Sequence, residues 1–391
     1  MTKLTIAGGG VGGLSAALVC QRAGCSVTVL EQATAFADVG AGIQLGPNAV
    51  RLLDLWGLGE PLRQCAARPT ALQVLNAANG RTLGRLTLGD TIAKRYGSDY
   101  LTVHRADLHQ LLLGAVQQAG VSLQLQAAVK RWSESPQHLN VVATNNTEHT
   151  VDGLIGCDGV WSTVRQQLLR DGGPRSTGHL AYRTLIDTEN VPAEVPLTQV
   201  TVWLGKDMHA VAYPVRGGSL LNLVVIVEGT QPGDPGNWNH QASGRTLLKR
   251  MVGEHTVLQK LIDVALEWRL WVLHDRPPLR GPQAMAQGRV ALLGDASHAM
   301  LPYLAQGAAM ALEDAEQLGV SLQIKEHDVP AAWQHFAHAR WQRNARVQEK
   351  ARRNGVIFHA QGPLRWGRNL AMKWGGEGLL DSPWLYGGEG A

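Results

Sequence analysis

Three glycines near the start of the chain have the spacing of a phosphate-binding turn. Gly8, Gly10 and Gly13 spell G-x-G-x-x-G between an apolar run at 4–7 and apolar residues at helical spacing. The first glycine permits the turn, the second lets the backbone approach a pyrophosphate, and the third lets helix and strand pack closely. Glu31 follows Gly13 by 18 residues, where an acid can accept a hydrogen bond from a ribose hydroxyl. The pattern predicts a site for an adenosine diphosphate group, which FAD and NAD share.

A second stretch, "GDASHAMLPYLAQGAAMALEDA" (Gly294–Ala315), combines polar residues with a helix of small ones. It follows an apolar run at 290–293 and places an acid, a histidine and a proline before Gly307 and Ala308. Small side chains allow another group to lie against a backbone. The stretch therefore predicts a helix that a ligand approaches closely.

The elements around these stretches indicate an α/β protein with two kinds of sheet. Strand–turn–helix patterns occur at the N-terminus, near 155 and near 290, whereas apolar and polar residues alternate from about 178 to 228. We expect a Rossmann-like domain built from discontinuous segments, an inserted, mostly antiparallel β-sheet substrate domain and a helical C-terminal region. The expected ranges are 1–70, 100–175 and 280–325 for the first, 71–99 and 176–279 for the second, and 326–391 for the third.

Composition excludes several classes of protein. The chain has 391 residues, of which 45% are hydrophobic and 17% charged, as in a folded protein with a large core. Its net charge of +4 is not gathered into basic runs, so we expect no nucleic-acid partner. We find no run long enough for a membrane span and no cleavable leader pattern. The cysteines have no metal-ligand or disulfide spacing, so we expect no metal and reduced thiols in the cytoplasm; they are Cys20, Cys25, Cys65 and Cys157.

Three motifs in fixed order carry a resemblance that covers essentially the whole chain. They are the glycine turn at Gly8–Gly13, "CDGVWSTVR" at Cys157–Arg165 and "GDASHAMLP" at Gly294–Pro302. Together they resemble the single-component FAD-dependent aromatic hydroxylases, the p-hydroxybenzoate hydroxylase-like flavoprotein monooxygenases. Within that family the chain looks most like the 3-hydroxybenzoate 6-hydroxylases and salicylate 1-hydroxylases.

The resemblance implies a reaction and its cofactors. FAD would be bound tightly without a covalent link, NADH or NADPH would bind transiently, and O₂ would form a flavin C4a-hydroperoxide that hydroxylates a phenolic aromatic acid of the salicylate or 3-hydroxybenzoate type. A hydroxypyridine such as 6-hydroxynicotinate is an alternative substrate, and a flavin oxidoreductase of another class is an alternative activity. We expect an aromatic small molecule as the binding partner, no membrane association, and a monomer or homodimer.

The resemblance also implies which residues contact FAD. Arg105 would bind the diphosphate, where its planar guanidinium suits phosphate oxygens. Asp158 belongs to the second nucleotide motif, and Asp295 would accept hydrogen bonds from the ribityl hydroxyls. Pro302 would turn the backbone beside the flavin, and the first helical turn, at Gly307 and Ala308, would face the N1/O2 edge of the ring, where negative charge gathers on reduction.

The substrate residues are expected on the antiparallel sheet. His209 and Tyr213 share one face of the strand "MHAVAYPV" because side chains alternate along a strand. We expect His209 to act as base or hydrogen-bond acceptor for the substrate hydroxyl and Tyr213 to orient the substrate; the alternative is a half-buried sheet histidine beside a core tyrosine. Further candidates for the pocket are Arg183, Gln44 and His298, although His298 could instead cap its turn.

Overall fold

The structure, a computed structural model, describes residues 1–36, 40–230 and 240–387. Its strands are β1 (Lys3–Ala7), β2 (Ser26–Leu30), β3 (Gly42–Leu45), β4 (Ala71–Asn76), β5 (Thr82–Thr87), β6 (Leu101–His104), β7 (Ser122–Gln124), β8 (Val129–Glu134), β9 (Leu139–Ala143), β10 (Glu148–Val151), β11 (Gly153–Gly156), β12 (Arg175–Asp187), β13 (Val200–Leu204), β14 (Met208–Val215), β15 (Leu220–Glu228), β16 (His240–Ala242), β17 (Trp268–Asp275), β18 (Ala286–Gln287) and β19 (Val290–Leu292).

The helices complete the element order. They are α1 (Val11–Arg22), α2 (Pro47–Leu55), α3 (Gly59–Cys65), α4 (Asp90–Tyr96), α5 (Arg105–Gln118), α6 (Thr163–Leu169), α7 (Gly244–Arg250), α8 (Thr256–Asp263), α9 (Pro282–Met285), α10 (Asp295–His298), α11 (Gly307–Ile324), α12 (Val329–Phe358), α13 (Gly362–Leu380) and α14 (Pro383–Tyr386). In the part of the chain that the structure describes, no helix combines the length and apolar character needed to cross a bilayer.

The chain divides into two compact units. Unit 1 comprises Met1–Val39, Ala106–Arg175 and His274–Arg352, and unit 2 comprises Gly40–Arg105, Ser176–Leu273 and Arg353–Ala391. Each unit is therefore assembled from three separate stretches of sequence.

Unit 1 is built on a six-stranded sheet in the order β18-β19-β11-β1-β2-β7, in which only the pairing of β18 with β19 is antiparallel. The central strand β1 is apolar and buried from Leu4 to Ala7, as a parallel strand covered on both faces requires. Helix α1 packs on α11, and glycines permit the close approach: a Cβ at Gly319 would lie 3.2 Å from the Cβ of Val19.

The parallel pairing brings the turns of the sequence motifs to one edge of that sheet. Strands β1, β11 and β19 end at Ala7, Gly156 and Leu292, and β11 lies between the other two. The Cys157 N–H donates to the Ala7 carbonyl at 2.8 Å, and the Leu293 N–H donates to the Gly156 carbonyl at 3.0 Å. Ligands of open parallel sheets bind at this carboxyl edge.

Unit 2 is built on an eight-stranded sheet in the order β16-β17-β12-β15-β14-β13-β4-β5. Strands β12, β15, β14 and β13 pair antiparallel in that order, as do β16 with β17 and β4 with β5, whereas β13 pairs parallel with β4. Alternate side chains of the sheet enter an apolar core with helices α7 and α8, where Trp203 is 1% exposed. Burying an aromatic side chain of this size contributes about 2 to 3 kcal/mol.

A small ladder of β3 with β6 is attached to this sheet. The hydroxyl of Thr102 donates to the Pro214 carbonyl at 2.6 Å, and the N–H of Gly42 donates to Asn222 Oδ1 at 2.7 Å. These bonds place the β3 backbone over the end of β14.

The α/β class, the Rossmann-like unit in discontinuous segments and the largely antiparallel sheet are confirmed. The compact units nevertheless divide the chain at other positions than the expected domain ranges. Residues 40–70 and 100–105, expected with the nucleotide domain, group with the sheet unit, and so do residues 353–391 of the expected C-terminal region. The ladder of β3 with β6 explains the first difference, because its long-range partners lie on β14 and β15.

Candidate flavin and substrate sites

The glycine turn of unit 1 has the geometry that its spacing predicts. Gly8 has φ +98°, and a Cβ there would lie 2.5 Å from the Cys157 carbonyl oxygen. A Cβ at Gly13 would lie 1.9 Å from the Gly8 carbonyl oxygen, so the helix can approach the strand only without a side chain. Gly10 differs, because a Cβ there would meet no atom of the described residues within 4 Å. The first and third glycines are required by the protein itself, whereas the second leaves open space at the N-terminus of α1.

Glu31 and a residue that the sequence did not indicate hold this turn. The Glu31 carboxylate accepts hydrogen bonds from the N–H groups of Gly9 at 2.7 Å and Ala33 at 2.8 Å. His109, on α5, is 5% exposed and places Nε2 2.8 Å from the Gly9 carbonyl. A carboxylate accepts about four hydrogen bonds, so Glu31 keeps capacity for a ribose hydroxyl, and that role stays a prediction.

The second motif uses its aspartate within the fold. Asp158 Oδ1 accepts from the Ser162 hydroxyl at 2.5 Å, and Oδ2 accepts from the N–H groups of Thr163 at 2.8 Å and Val164 at 3.1 Å. Burial raises the pKa of Asp158, while these hydrogen bonds oppose the increase. The carboxylate thus caps α6; its predicted contact with a cofactor is not tested by this geometry.

Asp295 presents a different environment. Gly294 has φ +61° and turns the chain sharply after β19, so Asp295 is exposed at the start of α10. Its carboxylate has no hydrogen-bond or ion-pair partner among residues 1–36, 40–230 and 240–387. An acceptor left available at the carboxyl edge of the sheet fits the predicted ribityl contact.

His298 lies in a buried polar cluster on the other side of that turn. It is 1% exposed, and its Nε2 is 2.6 Å from Oδ2 of the fully buried Asp314. Asp314 also accepts from Arg340 Nε at 2.9 Å, Asn344 Nδ2 at 2.9 Å and the Gly294 N–H at 3.3 Å. We call these five residues the Asp314 cluster. Burial acts to raise the pKa of Asp314, but His298 and Arg340 lower it to about 2.

The Asp314 cluster bears on the two alternatives for His298. Its imidazole is bonded to a helix behind the turn, which favours the structural role, and contact with a substrate stays a prediction. Arg340 also pairs with Glu313 at 2.9 Å, so two consecutive acids of α11 are bound to α12. Small residues dominate the stretch Gly294–Ala315, yet its last two acids, Glu313 and Asp314, are the residues that bind it to α12.

The start of α11 is shaped for close approach, as predicted. Pro302 is exposed and begins a single 3₁₀ turn, and Ala305 follows with φ +52°, an uncommon conformation for alanine. The N-cap residue, Gln306, makes no side-chain cap hydrogen bond, and a Cβ at Gly307 would meet no atom within 4 Å in the part of the chain that the structure describes. Together with the half-buried Ala308, these residues leave N–H groups and a positive dipole end available to an electron-rich group.

Unit 2 gathers a tyrosine cluster around the end of β14. Tyr213 is 4% exposed, and a Cβ at Gly42 would lie 2.5 Å from its ring, so only glycine allows β3 to cover it. Gln44 hydrogen-bonds the side chain of Tyr213 and accepts from the Tyr100 hydroxyl at 2.7 Å. Burial raises the pKa of Tyr213, although Arg183 and Gln44 oppose this. Tyr213 is therefore a neutral hydroxyl that donates or accepts hydrogen bonds.

Arg183, on β12, is a cation inside this cluster. Its guanidinium carbon lies 3.7 Å from the centroid of the Trp271 ring, and its Nε is buried without a hydrogen-bond partner among the described residues. Burial lowers the pKa of Arg183 to about 10; Tyr213 opposes this, and Arg105 adds to it. Arg105 itself starts α5, and its N–H donates to the Ala41 carbonyl at 2.8 Å. A half-buried guanidinium whose Nε lacks a hydrogen-bond partner and which no described carboxylate pairs favours binding an anion.

His209 faces the same side of β14 as Tyr213, four residues away, but has its own surroundings. It is 2% exposed, with Nδ1 2.9 Å from His359 Nε2 and its ring edge-on to Phe358 at 5.3 Å. Burial lowers the pKa of His209 well below its usual value, and His359 and His179 add to the effect. The strand therefore presents a neutral imidazole at one end and a hydroxyl at the other, and catalysis by either residue stays a prediction.

Fold and site together define a class of flavin- or nicotinamide-type nucleotide-binding protein, and comparison with known proteins specifies it. The family described as FAD binding domain matches residues 1–353, so the chain belongs to that family. The 3-hydroxybenzoate 6-hydroxylase of Polaromonas naphthalenivorans (strain CJ2) is 38% identical over 387 residues, which cover 98% of this chain and 95% of the relative. The 6-hydroxynicotinate 3-monooxygenase of Bordetella bronchiseptica is 33% identical over 362 residues, covering 92% and 93%.

Solved structures agree with these relatives. The structure titled "Salicylate hydroxylase substrate complex" has a TM-score of 0.84 at 26% identity and covers 98% of this chain and 95% of its own. The expected FAD cofactor and the expected class of flavoprotein aromatic monooxygenase are thereby confirmed. The open space at Gly10, the available carboxylate of Asp295 and the uncapped start of α11 all fit FAD as the resident group.

Proposed function

We propose that this chain hydroxylates a phenolic aromatic acid of the 3-hydroxybenzoate or salicylate type, using FAD, O₂ and either NADH or NADPH. The observation that carries the proposal is Arg183, a half-buried residue whose buried Nε has no hydrogen-bond partner among the described residues and which lies in one cluster with Tyr213 and Gln44. The 38% identity to a 3-hydroxybenzoate 6-hydroxylase supports it.

Unit 1 would hold FAD through backbone groups and two acids. The N–H groups at the start of α1 would bind the diphosphate beside Gly10, while Glu31 and Asp295 would accept from the ribose and ribityl hydroxyls. Arg105, the first residue of α5, is proposed as a further phosphate ligand. Asp158 would stabilise the second turn through its cap on α6. FAD, once reduced by the nicotinamide donor and exposed to O₂, supplies the electrophilic oxygen.

Unit 2 would bind and orient the acid. A carboxylate paired with Arg183 would satisfy its buried Nε and would form charge-assisted hydrogen bonds. The Tyr213 hydroxyl, held by Gln44, would fix the ring of the substrate through one further hydrogen bond. The Arg183 contact selects a ring that carries an acid group, and the Tyr213 contact orients that ring.

His209 would accept the proton of the substrate hydroxyl. A phenol pushes electron density into its ring as it loses its proton, so a nearby base promotes attack by an electrophilic oxygen. Because burial keeps His209 neutral, one of its ring nitrogens carries a lone pair that can accept a proton at neutral pH. His298 would act indirectly, by fixing the Gly294 turn through the Asp314 cluster.

A hydroxypyridine is the second candidate substrate. The 33% identity to a 6-hydroxynicotinate 3-monooxygenase favours it. The same Arg183 contact would serve, since this acid also carries a carboxylate.

We further propose a cytoplasmic enzyme that acts as a monomer or homodimer. All four cysteines are thiols, as a reducing compartment maintains them. Size-exclusion chromatography with light scattering measures the oligomeric state directly, and a trimer or larger assembly would contradict the proposed monomer or homodimer.

The deciding experiment uses the FAD-loaded protein with NADH or NADPH and a panel of aromatic acids. We expect oxidation of the nicotinamide to accelerate with 3-hydroxybenzoate, salicylate or 6-hydroxynicotinate, and the hydroxylated product to appear by mass spectrometry. The product identifies the substrate class and the ring carbon attacked. A panel that yields no hydroxylated product refutes the proposal.

The role of His209 has its own test. His209→Ala should reduce product formation by at least about 100-fold, as the loss of a general base does, while FAD absorbance stays near that of the parent protein. Product formation equal to that of the parent would rule out this residue as the base.

A further inference from the structure

His209 is linked to a second buried histidine. Its Nδ1 lies 2.9 Å from Nε2 of His359, and the two residues are 2% and 5% exposed. His359 directly follows the last residue of α12, and its N–H donates to the Gly355 carbonyl at 3.1 Å. The carbonyl of the preceding Phe358 accepts from Arg368 on α13 at 2.8 Å. The backbone of His359 is therefore held on both sides, which fixes its ring against His209.

The other nitrogen of His359 points toward an exposed acid. Nδ1 lies 3.7 Å from Glu228 Oε1, and the Glu228 side chain is 52% exposed. Glu228 is the last residue of β15 and stands opposite His179 in the register of β12 with β15. A separation of 3.7 Å exceeds a hydrogen bond, so a small rotation of the exposed carboxylate or one water completes the link.

The charged groups around His359 keep both imidazoles neutral. His179 packs edge-on at 4.9 Å between ring centroids, and Arg368 adds positive charge from α13. Burial lowers the pKa of His359 to about 4, and His179 and Arg368 contribute. On the acidic side, burial raises the pKa of Glu228, and Asp207 contributes. A neutral imidazole can accept a proton at one nitrogen while it releases one from the other.

We propose that His359 and Glu228 form a proton route between His209 and solvent. This inference rests on the proposed role of His209 as the base. It assigns a function to His359, which lies 150 residues from His209 in sequence. His359 and Glu228 act through His209 and touch no substrate.

The transfer is balanced at each atom. His209 Nε2 takes the proton of the substrate hydroxyl, and the Nδ1–H of the same ring passes its proton to His359 Nε2. The Nδ1–H of His359 then passes its proton to Glu228 or to a water beside it. Both rings end as the opposite neutral tautomers. The reverse sequence returns the proton to the product hydroxyl and restores the starting tautomers.

The experiment compares His359→Gln and His359→Ala with the parent in FAD-loaded protein. We expect kcat for hydroxylated product to fall about 10- to 100-fold in both variants, with KM and FAD absorbance little changed. Imidazole in the buffer should restore much of the kcat of His359→Ala, which leaves space for it, and should not restore His359→Gln. A purely structural histidine would show neither the rescue nor the separation of kcat from KM.

Two further variants complete the comparison, the first as a control and the second as a test of the outer end of the route. His179→Gln removes a ring that touches His359 but lies outside the route, and it should keep kcat. Glu228→Gln, at an exposed position that tolerates substitution, should lower kcat a few-fold and shift its pH profile. The side chains of His179, Glu228 and His359 offer metal-ligand atoms within 4.8 Å of one another, so all assays contain a chelator.

The outcomes separate this inference from the proposed function. If the parent protein forms no hydroxylated product, the function itself fails. If the parent forms product and His359→Gln retains its kcat, or imidazole leaves His359→Ala unchanged, the proton route is refuted and the function stands.

Discussion

The glycine turn of unit 1 and the β14 face of unit 2 differ in what determines their shape. At Gly8 and Gly13 any side chain would collide with the backbone, so the shape of the turn depends on the absence of side chains at these two positions. On β14, His209 and Tyr213 depend on atoms supplied from distant segments: His359, Gln44, Arg183 and the β3 backbone at Gly42. The glycine turn is formed by residues close in sequence, whereas the β14 face forms only when the sheet and the C-terminal residues have come together.

The glycine turn and the β14 face should therefore tolerate amino-acid substitutions differently. A backbone site has one geometry, which most substitutions destroy together with the fold. A side-chain site can lose one contact while the sheet remains. We therefore expect substitutions at the turn to affect folding and FAD together, and substitutions on the sheet to separate stability from activity.

The largest effect should come from Gly13→Ala. Its Cβ would lie 1.9 Å from the Gly8 carbonyl oxygen, so helix and strand must separate, at a cost above about 3 kcal/mol. We expect little FAD-loaded protein, measured by the absorbance of the purified sample and by urea unfolding.

Gly10→Ala is the matched control at the same turn. A Cβ there meets no protein atom within 4 Å, so the apoprotein should unfold at nearly the same urea concentration as the parent. If the diphosphate lies against Gly10, the Kd for FAD should still rise at least about tenfold. Unchanged FAD affinity would contradict the placement of the phosphate.

The next effect concerns a side-chain cluster inside unit 1. Asp314→Asn keeps the shape of the residue but leaves Arg340 without one of its buried acids, which should cost about 3 kcal/mol in urea unfolding. Glu326→Gln makes the same change of charge at an exposed position and should cost little. Because the pKa of Asp314 is lowered to about 2, its contribution is present above about pH 4 and is lost as the pH falls toward 2.

The Asp314 cluster also sets a limit on what the sequence could predict. The turn at Gly8, Gly10 and Gly13 is contained in six residues, and so its geometry could be predicted in detail. Asp314 contacts Arg340 and Asn344 on another helix, 26 and 30 residues away. The residues of the stretch Gly294–Ala315 do not predict those partners. His298 could therefore not be assigned between pocket and turn until its partner was known.

The β14 face shows the same limit more strongly. Strand alternation placed His209 and Tyr213 on one side, but it could not supply His359 from 150 residues away. Nor could it supply Asn222, which directly faces Tyr213 in the register of β14 with β15. Tyr100 and His109 gave no signal beyond ordinary buried positions on a strand end and a helix. An alternating pattern predicts which side chains share one face of a strand, whereas the residues that contact them depend on the order of strands in the sheet.

A smaller effect should distinguish the buried histidines of unit 2 by pH. Burial lowers the pKa of His359 to about 4, so below pH 6.5 this histidine is protonated in the unfolded chain but stays neutral in the folded protein. The free energy of unfolding therefore falls as the pH drops from 6.5 toward 4. His359→Gln should remove about 2 to 3 kcal/mol of that fall. Urea unfolding at pH 6.5, 5.5 and 4.5 measures it, with His338→Gln, at an exposed position on α12, as the control.

The smallest effect is also the one that most directly separates activity from stability. Arg183→Gln removes a half-buried cation that no described carboxylate pairs, so the free energy of unfolding should change little or rise, because the cost of partly desolvating the charge disappears. The Kd for 3-hydroxybenzoate should nevertheless increase about 30-fold, equivalent to about 2 kcal/mol for a hydrogen bond to a charged group. The neutral analogue 3-hydroxybenzyl alcohol has no carboxylate, and its Kd should be the same in both proteins. Equal weakening of acid and alcohol would mean that Arg183 shapes the pocket without binding the carboxylate, and β14 would then resemble the glycine turn in depending on shape alone.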